Sequence, residues 1–352
     1  MSSIFGKIPV GVIMAAAVVV LVVLGLLNLF LGSVIIPPED VWNILTGKTQ
    51  LDDQVKQLIV LQYRLPQAVT AIFAGAGLAV AGLLMQTLFR NPLADPSILG
   101  ISSGSSLGVA LLLLFSGTNT GLFLSETGWI GQTGLIMSAL TGAFLVLIII
   151  SWLSRIMSDM VSLLIAGIMI SYITGSLVGI TKYFSQKEDL QAFVLWGLGS
   201  FSNVGQARLP FFVIAVALGL LLSVFLVKPL NLLLLGERYA ANLGVSVKRV
   251  QFFILIISGV LTAVITAYTG PVAFIGLAVP HLARNLLGES SHRILLPAVM
   301  ILGASLALAC NLIARLPGFE GSLPVNAVTS LIGAPVVVWF LIRRKHLYSN
   351  GK

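Results

Sequence analysis

PLNLLLLGERYAANLGVSVKRV, residues Pro229–Val250, decides how the rest of this chain must be read. It is the longest interior segment that mixes charge with helix-forming residues, and long apolar segments flank it on both sides. Glu237, Arg238, Lys248 and Arg249 cannot enter hydrocarbon cheaply, because a charge at mid-bilayer costs about 2.5–3.5 kcal/mol on insertion scales. Gly236 and Gly244 punctuate the stretch as helix stops or turn positions do. It therefore predicts one or two short helices outside the bilayer, between two membrane spans. A median connection needs only about 4–6 residues, so a segment of this length offers a surface to a partner.

Composition agrees with spans on either side. Of 352 residues, 57% are hydrophobic and 9% charged, against roughly 25% charged in soluble domains, and the mean hydropathy is +1.05. The chain is expected to be an all-α integral membrane protein. Its net charge of +8 reads as a topology signal, since few basic residues cluster and aromatics do not interleave them; that pattern argues against nucleic acid as a partner. One cysteine, Cys310, excludes an internal disulfide. Three histidines without a Cys or carboxylate cluster give no metal-site spacing. Lys7 precedes an apolar run from Ile8 to Leu31 that is long for a signal-peptide core and lacks a small-residue cleavage site after it. It predicts an uncleaved first span.

About 20 mostly apolar residues cross the roughly 30 Å of hydrocarbon. About ten stretches qualify as transmembrane helices: 8–31, 66–88, 98–115, 129–152, 161–183, 209–227, 250–269, 272–288, 294–314 and 325–342. The eighth is short and carries Pro271, Pro280 and His281. No run alternates in the ten-residue manner of a membrane β-barrel, so the expectation is an α-helical bundle, a single transmembrane domain over 1–352 with the charged segment 229–250 inside it. Basic residues orient it. A cytoplasmic N-terminus puts Lys7, Arg90, Arg155, Lys228, Arg238, Lys248, Arg249, Arg284, Arg293, Arg343, Arg344, Lys345 and Lys352 inside. Fewer lie opposite: Lys48, Lys56, Arg64, Lys182, Lys187, Arg208 and Arg315. The acids Glu39, Asp40, Asp52, Asp53, Glu126, Glu188, Asp189 and Glu320 fall outside. Both termini and the charged segment are then expected on the cytoplasmic side.

Small residues recur every four positions at Gly167, Ser171, Gly175 and Gly179 in the fifth stretch, and at Gly100, Gly104 and Gly108 in the third. Such stripes let helix backbones approach closely; the fifth also carries hydroxyls at Ser171, Tyr172, Thr174, Ser176 and Thr181, which suits a weakly polar pathway wall. Apparent catalytic motifs fail. Gly47-Lys48-Thr49 has Trp42 where a phosphate-binding loop needs its first glycine. Gly100-Ile101-Ser102-Ser103-Gly104 matches a nucleophile elbow by letter but lacks a strand before it and a histidine partner. No catalytic residue and no nucleotide site are expected. The linker Gln86–Gly100, QTLFRNPLADPSILG, is broken by Pro92 and Pro96. Gly82-Leu83 with Arg90-Asn91 recurs at the same spacing as Gly276-Leu277 with Arg284-Asn285, a hint of the internal repeats common in transporters.

Several motifs then occur together and in order: Arg64-Leu65-Pro66, Gly75-Ala76-Gly77-Leu78-Ala79, Gln86, Arg90-Asn91-Pro92-Leu93-Ala94-Asp95-Pro96, Leu99-Gly100, Leu235-Gly236-Glu237 with Ala240, and Leu243-Gly244-Val245. They continue with Gly270-Pro271-Val272-Ala273-Phe274-Ile275-Gly276-Leu277, Pro280-His281, His292-Arg293 and Gly333-Ala334-Pro335. From about residue 60 to 342 the chain resembles the permease subunit of the ABC importers for iron-siderophore, haem and cobalamin.

The resemblance implies a bacterial inner-membrane, multi-pass permease of ten helices. It implies a homodimer, two ATPase subunits, an extracytoplasmic substrate-binding protein, and ATP with Mg²⁺ held by the ATPases, with no cofactor on this chain. By the same resemblance Gly236, Glu237, Arg238, Ala240, Leu243, Gly244 and Val245 belong to the ATPase-coupling segment. Asn91, Pro92 and Leu93 match one cytoplasmic gate, and Met160, Val161 and Ser162 a second. Gly167, Ser171, Gly175 and Gly179 would face the pathway. Arg64 and Arg315 match outer-surface arginines that pair with glutamates of the binding protein. Where the family often reads R-L-P-R, this chain has Gln67; one ion pair would then be missing or supplied by Lys56. The implied function is ATP-driven alternating access for a metal chelate. Two other classes stand beside it: an ion-coupled secondary transporter, which calls for an ionisable residue in mid-span, and an intramembrane serine hydrolase, which needs Ser102 or Ser103 near His281.

Overall fold

The computed structural model describes residues 8–32, 34–48, 54–115, 130–157, 159–315 and 323–349. Lys7, Asp52, Asp53, Glu126, Trp129, Glu320 and Lys352, used above for orientation and span limits, lie outside them. Among the described residues there are fifteen α-helices and no strand. In chain order they are α1 (Val10–Phe30), α2 (Pro38–Leu45), α3 (Gln54–Leu58), α4 (Leu65–Leu88), α5 (Ile101–Phe115), α6 (Ile130–Ile156), α7 (Met160–Phe184) and α8 (Lys187–Gly197). They continue as α9 (Leu209–Phe225), α10 (Val227–Leu234), α11 (Glu237–Asn242), α12 (Val247–Thr269), α13 (Ile275–Leu287), α14 (His292–Ala314) and α15 (Val325–Ser349). Each of the ten apolar stretches read from the sequence contains an α-helix. In hydrocarbon no water can satisfy a backbone group, and a helix satisfies its own.

Six helical stretches are each long and apolar enough to cross a bilayer, and a seventh arises if α9 and α10, bent by 51°, count as one. α5 and α15 present shorter apolar stretches, Ile101–Leu113 and Val325–Trp339. α13 is the exception among the ten. Its 13 residues rise about 20 Å at 1.5 Å each, short of a span. Before it, Gly270 takes φ +74° and Phe274 φ +68°, so the chain from Gly270 to Phe274 is non-helical. The Ala273 N–H donates to Asn326 Oδ1 at 3.1 Å instead.

The chain divides into two compact units: residues 1–83, 200–217 and 272–352, and residues 84–199 and 218–271. Two of the four dividing lines fall inside α4 and α9, an organisation that composition along the chain does not signal. In the first unit α1 packs on α14, with a buried polar link between them. Asn28 donates to the Leu308 carbonyl at 3.0 Å and accepts from Asn311 at 2.8 Å. α4 meets α13 at Gly82, where a Cβ would overlap the Gly276 carbonyl. These glycines are equivalent positions of the repeated Gly-Leu…Arg-Asn pattern. α2 carries Pro38 at its first position and Glu39 and Asp40 in its first turn, the chemistry a helix start favours. It buries Val41 and Ile44 against Ile36 and Val60.

In the second unit α5 crosses α6 at its glycines. A Cβ on Gly104 would lie 2.6 Å from the Gly142 carbonyl oxygen, and one on Gly108 would overlap that of Ser138. The third-stretch stripe is thus a helix-packing seam. Val109, Ala110, Ile136, Ala139, Val178, Phe193, Trp196 and Ala267 form a buried cluster that draws α5, α6, α7, α8 and α12 together.

Candidate functional site

The charged stretch folds as the sequence predicts, into two short helices followed by the first turn of a long one. α10 buries Leu230 and Leu233. The chain then turns at Gly236, φ +114° and ψ 148°, a backbone conformation open essentially to glycine alone. α11 follows, and Gly244 at φ +85° redirects the chain into α12. The Val245 N–H closes this turn on the Ala240 carbonyl at 3.0 Å. Ala240 faces inward, while Leu235, Tyr239 and Leu243 are more than half exposed and Arg238 is exposed.

Glu237 ties this segment to the linker after α4. Its Oε1 accepts from Gln251 Nε2 at 3.3 Å and lies 3.9 Å from an Arg90 nitrogen. Arg90 holds the left-handed backbone at φ +45°, uncommon for a non-glycine residue, and this turns the chain from α4 into Asn91–Leu93. That tripeptide is shaped from within. The Leu93 N–H donates to Asn91 Oδ1 at 2.9 Å and the Ala94 N–H to the Asn91 carbonyl at 3.1 Å, around Pro92. Asp95 then accepts from the Ser97 N–H at 2.9 Å, starting the 3-10 turn Pro96–Leu99. The structure therefore brings the expected coupling helix and the first expected gate together through Arg90–Glu237, a link on which sequence spacing was silent.

The second expected gate, Met160–Ser162, is the first turn of α7. Asp159 caps it, accepting from the Ser162 N–H at 2.8 Å and from its hydroxyl at 2.7 Å. These bonds hold the Asp159 carboxyl below the usual range.

The stripe on α7 splits in two. A Cβ on Gly167 would lie 2.9 Å from Leu99 Cα, and the Ser171 hydroxyl donates to the Gly167 carbonyl at 3.0 Å and approaches that of Ile98 at 3.3 Å. Gly167 and Ser171 thus seat the 3-10 turn that follows the first gate. Gly175 and Gly179 have nothing within 4 Å of a Cβ, so only these two keep the open face expected of a pathway wall. Thr174 and Thr181 turn inward and bond their own helix, to the carbonyls of Ile170 and Leu177. The Ser102 hydroxyl lies 3.4 Å from that of Thr266, a neighbour that cannot act as a base.

Arg64 and Arg315 are placed differently from the sequence expectation. Instead of presenting two free forks, both guanidiniums close on the carbonyl end of α1. Arg64 donates to Leu29 and Phe30 at 2.8 Å each, and also to Val34. Arg315 donates to Asn28 at 2.8 Å, Leu31 at 3.2 Å and the Gln67 side chain. Arg64 is only 3% exposed. α1 ends at an extended Leu31 with no basic residue in its last turn, so its last carbonyls lack partners of their own, and two cations, one just before α4 and one just after α14, supply them. Arg64 is aimed by the π-helical turn Ile59–Arg64, which runs straight into Pro66 of α4; proline cannot sustain the normal ladder four residues back. Lys56 pairs with Asp40 at 2.7 Å.

Six helical stretches of spanning length and apolarity, with short charged helices between them, are the build of a multi-pass membrane protein. The model of the FecCD transport family matches residues 20–343. The hemin transport system permease protein HmuU of Yersinia pestis is 35% identical over 349 residues, covering 98% of this chain and 99% of that protein. The vitamin B12 import system permease protein BtuC of Klebsiella pneumoniae is 36% identical over 321 residues, 91% of this chain and 90% of that protein. The molybdate import system permease protein MolB of Haemophilus influenzae is 34% identical over 319 residues, 90% and 91% of the two chains. A solved structure of an inward-facing, metal-chelate type ABC transporter aligns with a TM-score of 0.80 at 30% identity, over 95% of this chain and 99% of that one. The chain belongs to the FecCD transport family, and it is a permease subunit of an ABC importer.

Proposed function

We propose that the whole chain, 1–352, acts as one permease domain, in a pair of identical subunits, within an ABC importer for a metal chelate. The pair lies in the bacterial inner membrane with ten spans per subunit, the eighth made of α13 together with the non-helical chain Gly270–Phe274 before it, and both termini cytoplasmic. Two ATPase subunits bind ATP and Mg²⁺ on the cytoplasmic face, and a substrate-binding protein docks on the other. An iron-siderophore is the foremost cargo, with haem and cobalamin in the same class of bulky chelates; the hemin and vitamin B12 permeases among the relatives support that class.

One observation carries the mechanism: Glu237 at the start of α11 lies 3.9 Å from Arg90 at the root of the Asn91–Leu93 turn. The exposed Leu235, Tyr239 and Leu243 engage the ATPase, and Gly236 and Gly244 let α11 be displaced without dragging α10 and α12 with it. Displacement of α11 then pulls on Arg90 and shifts the gate, while Gly167 and Ser171 keep the following 3-10 turn against α7. The Met160–Ser162 turn is the second gate, and the open Gly175–Gly179 face of α7 lines the pathway. Arg64 and Arg315 serve the binding protein indirectly, by setting the end of α1 on which it lands.

Uptake into vesicles containing the permease and its ATPase, with the loaded binding protein outside, decides the matter. Transport should require ATP inside and persist when the proton gradient is collapsed. Uptake driven by a proton gradient without ATP would overturn the reading. The ligand captured by the accompanying binding protein identifies the chelate.

A further inference from the structure

A groove of about 490 Å³ runs between α6 and α12, within the roughly 300–1,000 Å³ of small-ligand sites. Its body is apolar: Phe144, Leu147 and Ile148 from α6, Ile256 and Val260 from α12. Ser151 lies next along α6. It is 7% exposed, and its hydroxyl has no hydrogen-bond partner although it lines the groove. Burying a hydroxyl without a partner is costly, so this atom points to a missing acceptor. One turn further, Arg155 closes the groove with its guanidinium carbon 5.0 Å from the Phe252 ring centroid. The side chain is exposed, and among the described residues no carboxylate pairs with it. Lys248 and Arg249, both exposed, stand one helical turn before Phe252 on α12. Trp152, 60% exposed, flanks the mouth as tryptophans do at the headgroup level.

Along α6 the order is therefore apolar wall, buried hydroxyl, cation. From Phe144 to Arg155 it covers about 16 Å at 1.5 Å per residue, with Ser151 and Arg155 about 6 Å apart. A glycerophospholipid repeats that order as acyl chain, ester carbonyl and phosphate.

We propose that this groove is a binding site for one anionic phospholipid, its phosphate on Arg155, an ester carbonyl accepting from Ser151, and an acyl chain along Phe144 to Val260. Charge complementarity selects the headgroup: Arg155 lines the end of the groove, exposed Lys248 and Arg249 follow one helical turn away on α12, and basic mouths between membrane helices suit anionic headgroups. A free phosphate leaves the apolar body empty, and an apolar molecule leaves Ser151 and Arg155 unused.

The test uses the full permease with its ATPase in nanodiscs of phosphatidylcholine doped with phospholipid brominated on the acyl chain. Bromine quenches nearby tryptophan, and the difference from a Trp152→Phe protein isolates the signal of this site from the other four tryptophans of the five in the chain. Brominated phosphatidylglycerol should quench Trp152 at about five-fold lower mole fraction than brominated phosphatidylcholine, the factor one interfacial basic residue contributes. Arg155→Gln should abolish this preference, Arg155→Lys should keep it, and Ser151→Ala should weaken quenching by both lipids. Equal quenching by the two lipids overturns the proposal. So do no quenching by either, which means a protein covers the groove, an unchanged preference in Arg155→Gln, and relief of quenching by inorganic phosphate, which means a free-anion site.

Discussion

Replacing Arg64 by methionine separates two jobs that one arginine can hold. Methionine keeps the length and apolar stem but removes a guanidinium that donates to Leu29, Phe30 and Val34 at the carbonyl end of α1. A hydrogen bond from a charged donor contributes about 1.5–3 kcal/mol net, and a buried acceptor left unpaired costs about 1–3 kcal/mol. Leu31, Val34 and Ile35 around this helix end are exposed, so water can reach part of what the change uncovers. The expected loss is therefore about 2–4 kcal/mol, below the sum of three full bonds. At about 2 °C per kcal/mol for a chain of this size, the apparent melting temperature of the purified permease should fall by about 4–8 °C. Arg64→Lys, which keeps the charge but not the fork, should recover about half. The measurement is made without any binding protein, by thermal unfolding in detergent. An unchanged melting temperature together with lost binding-protein association would show that Arg64 is a free docking fork, and would sink the clamp.

Gly82→Val should leave no folded permease in the membrane fraction, because its Cβ would overlap the Gly276 backbone; normal transport by this variant would contradict the α4–α13 crossing. Gly175→Trp should assemble with the ATPases yet block uptake, since nothing lies within 4 Å of a Cβ there; wild-type uptake would remove that face from the pathway. Gly244→Pro should insert normally but lose ATPase stimulation by substrate, because Gly244 sits at φ +85° and proline requires about −65°; intact stimulation would end the coupling assignment. Asp159 titrates below the ordinary carboxylate range because Ser162 bonds it. Its folded value lies under its unfolded one of about 3.9, so its stabilising effect is full above about pH 4 and is lost as pH falls through the folded value. Asp159→Asn, which can still cap, should flatten that acid limb in thermal unfolding, and an identical limb would refute the cap's role.

The helices were legible because a bilayer leaves the backbone so little choice. An apolar run of sufficient length must hydrogen-bond itself, and the only further reading needed was where charge interrupts. That suffices for α1, α4, α6, α7, α12 and α14. It fails where short segments carry both charge and apolar residues. α2 and α8 look like loops by composition, yet α2 buries Val41 and Ile44 and α8 buries Phe193 and Trp196. The eighth stretch shows the opposite failure. From 272 to 288 it is apolar enough to count, but Phe274 at φ +68° ends regular structure before α13 begins. Phe274 is placed there by packing, its ring against Gly333, which no local propensity reports. The repeated Gly-Leu…Arg-Asn pattern was visible; that its two glycines press on each other was not.

The same limit governs the site residues. Gly167 and Gly175 are two turns apart in one stripe, yet Leu99 fills the space beside the first and nothing occupies that beside the second. Spacing tells that a helix face is slim and leaves open what stands opposite. For Arg64 and Arg315 the reason lies in how α1 ends, which the sequence does not show, since Gly32 after Leu31 reads there as an ordinary glycine cap. A helix of 21 residues that ends in an extended Leu31, with neither a left-handed glycine cap nor a basic residue in its last turn, leaves carbonyls that must find donors elsewhere. Cations with no carboxylate partner among the described residues are what such an end attracts, because the helix terminus itself carries partial negative charge. Gln67 then has a physical reason. Arg315 reaches across to it as well as to α1, and an arginine at position 67 would set a third cation against the two already there, whereas a glutamine contributes an acceptor and no charge. The departure from R-L-P-R is thus the condition under which Arg315 can fold back onto α1, and Gln67→Arg should push it outward and loosen the same helix end that Arg64→Met exposes.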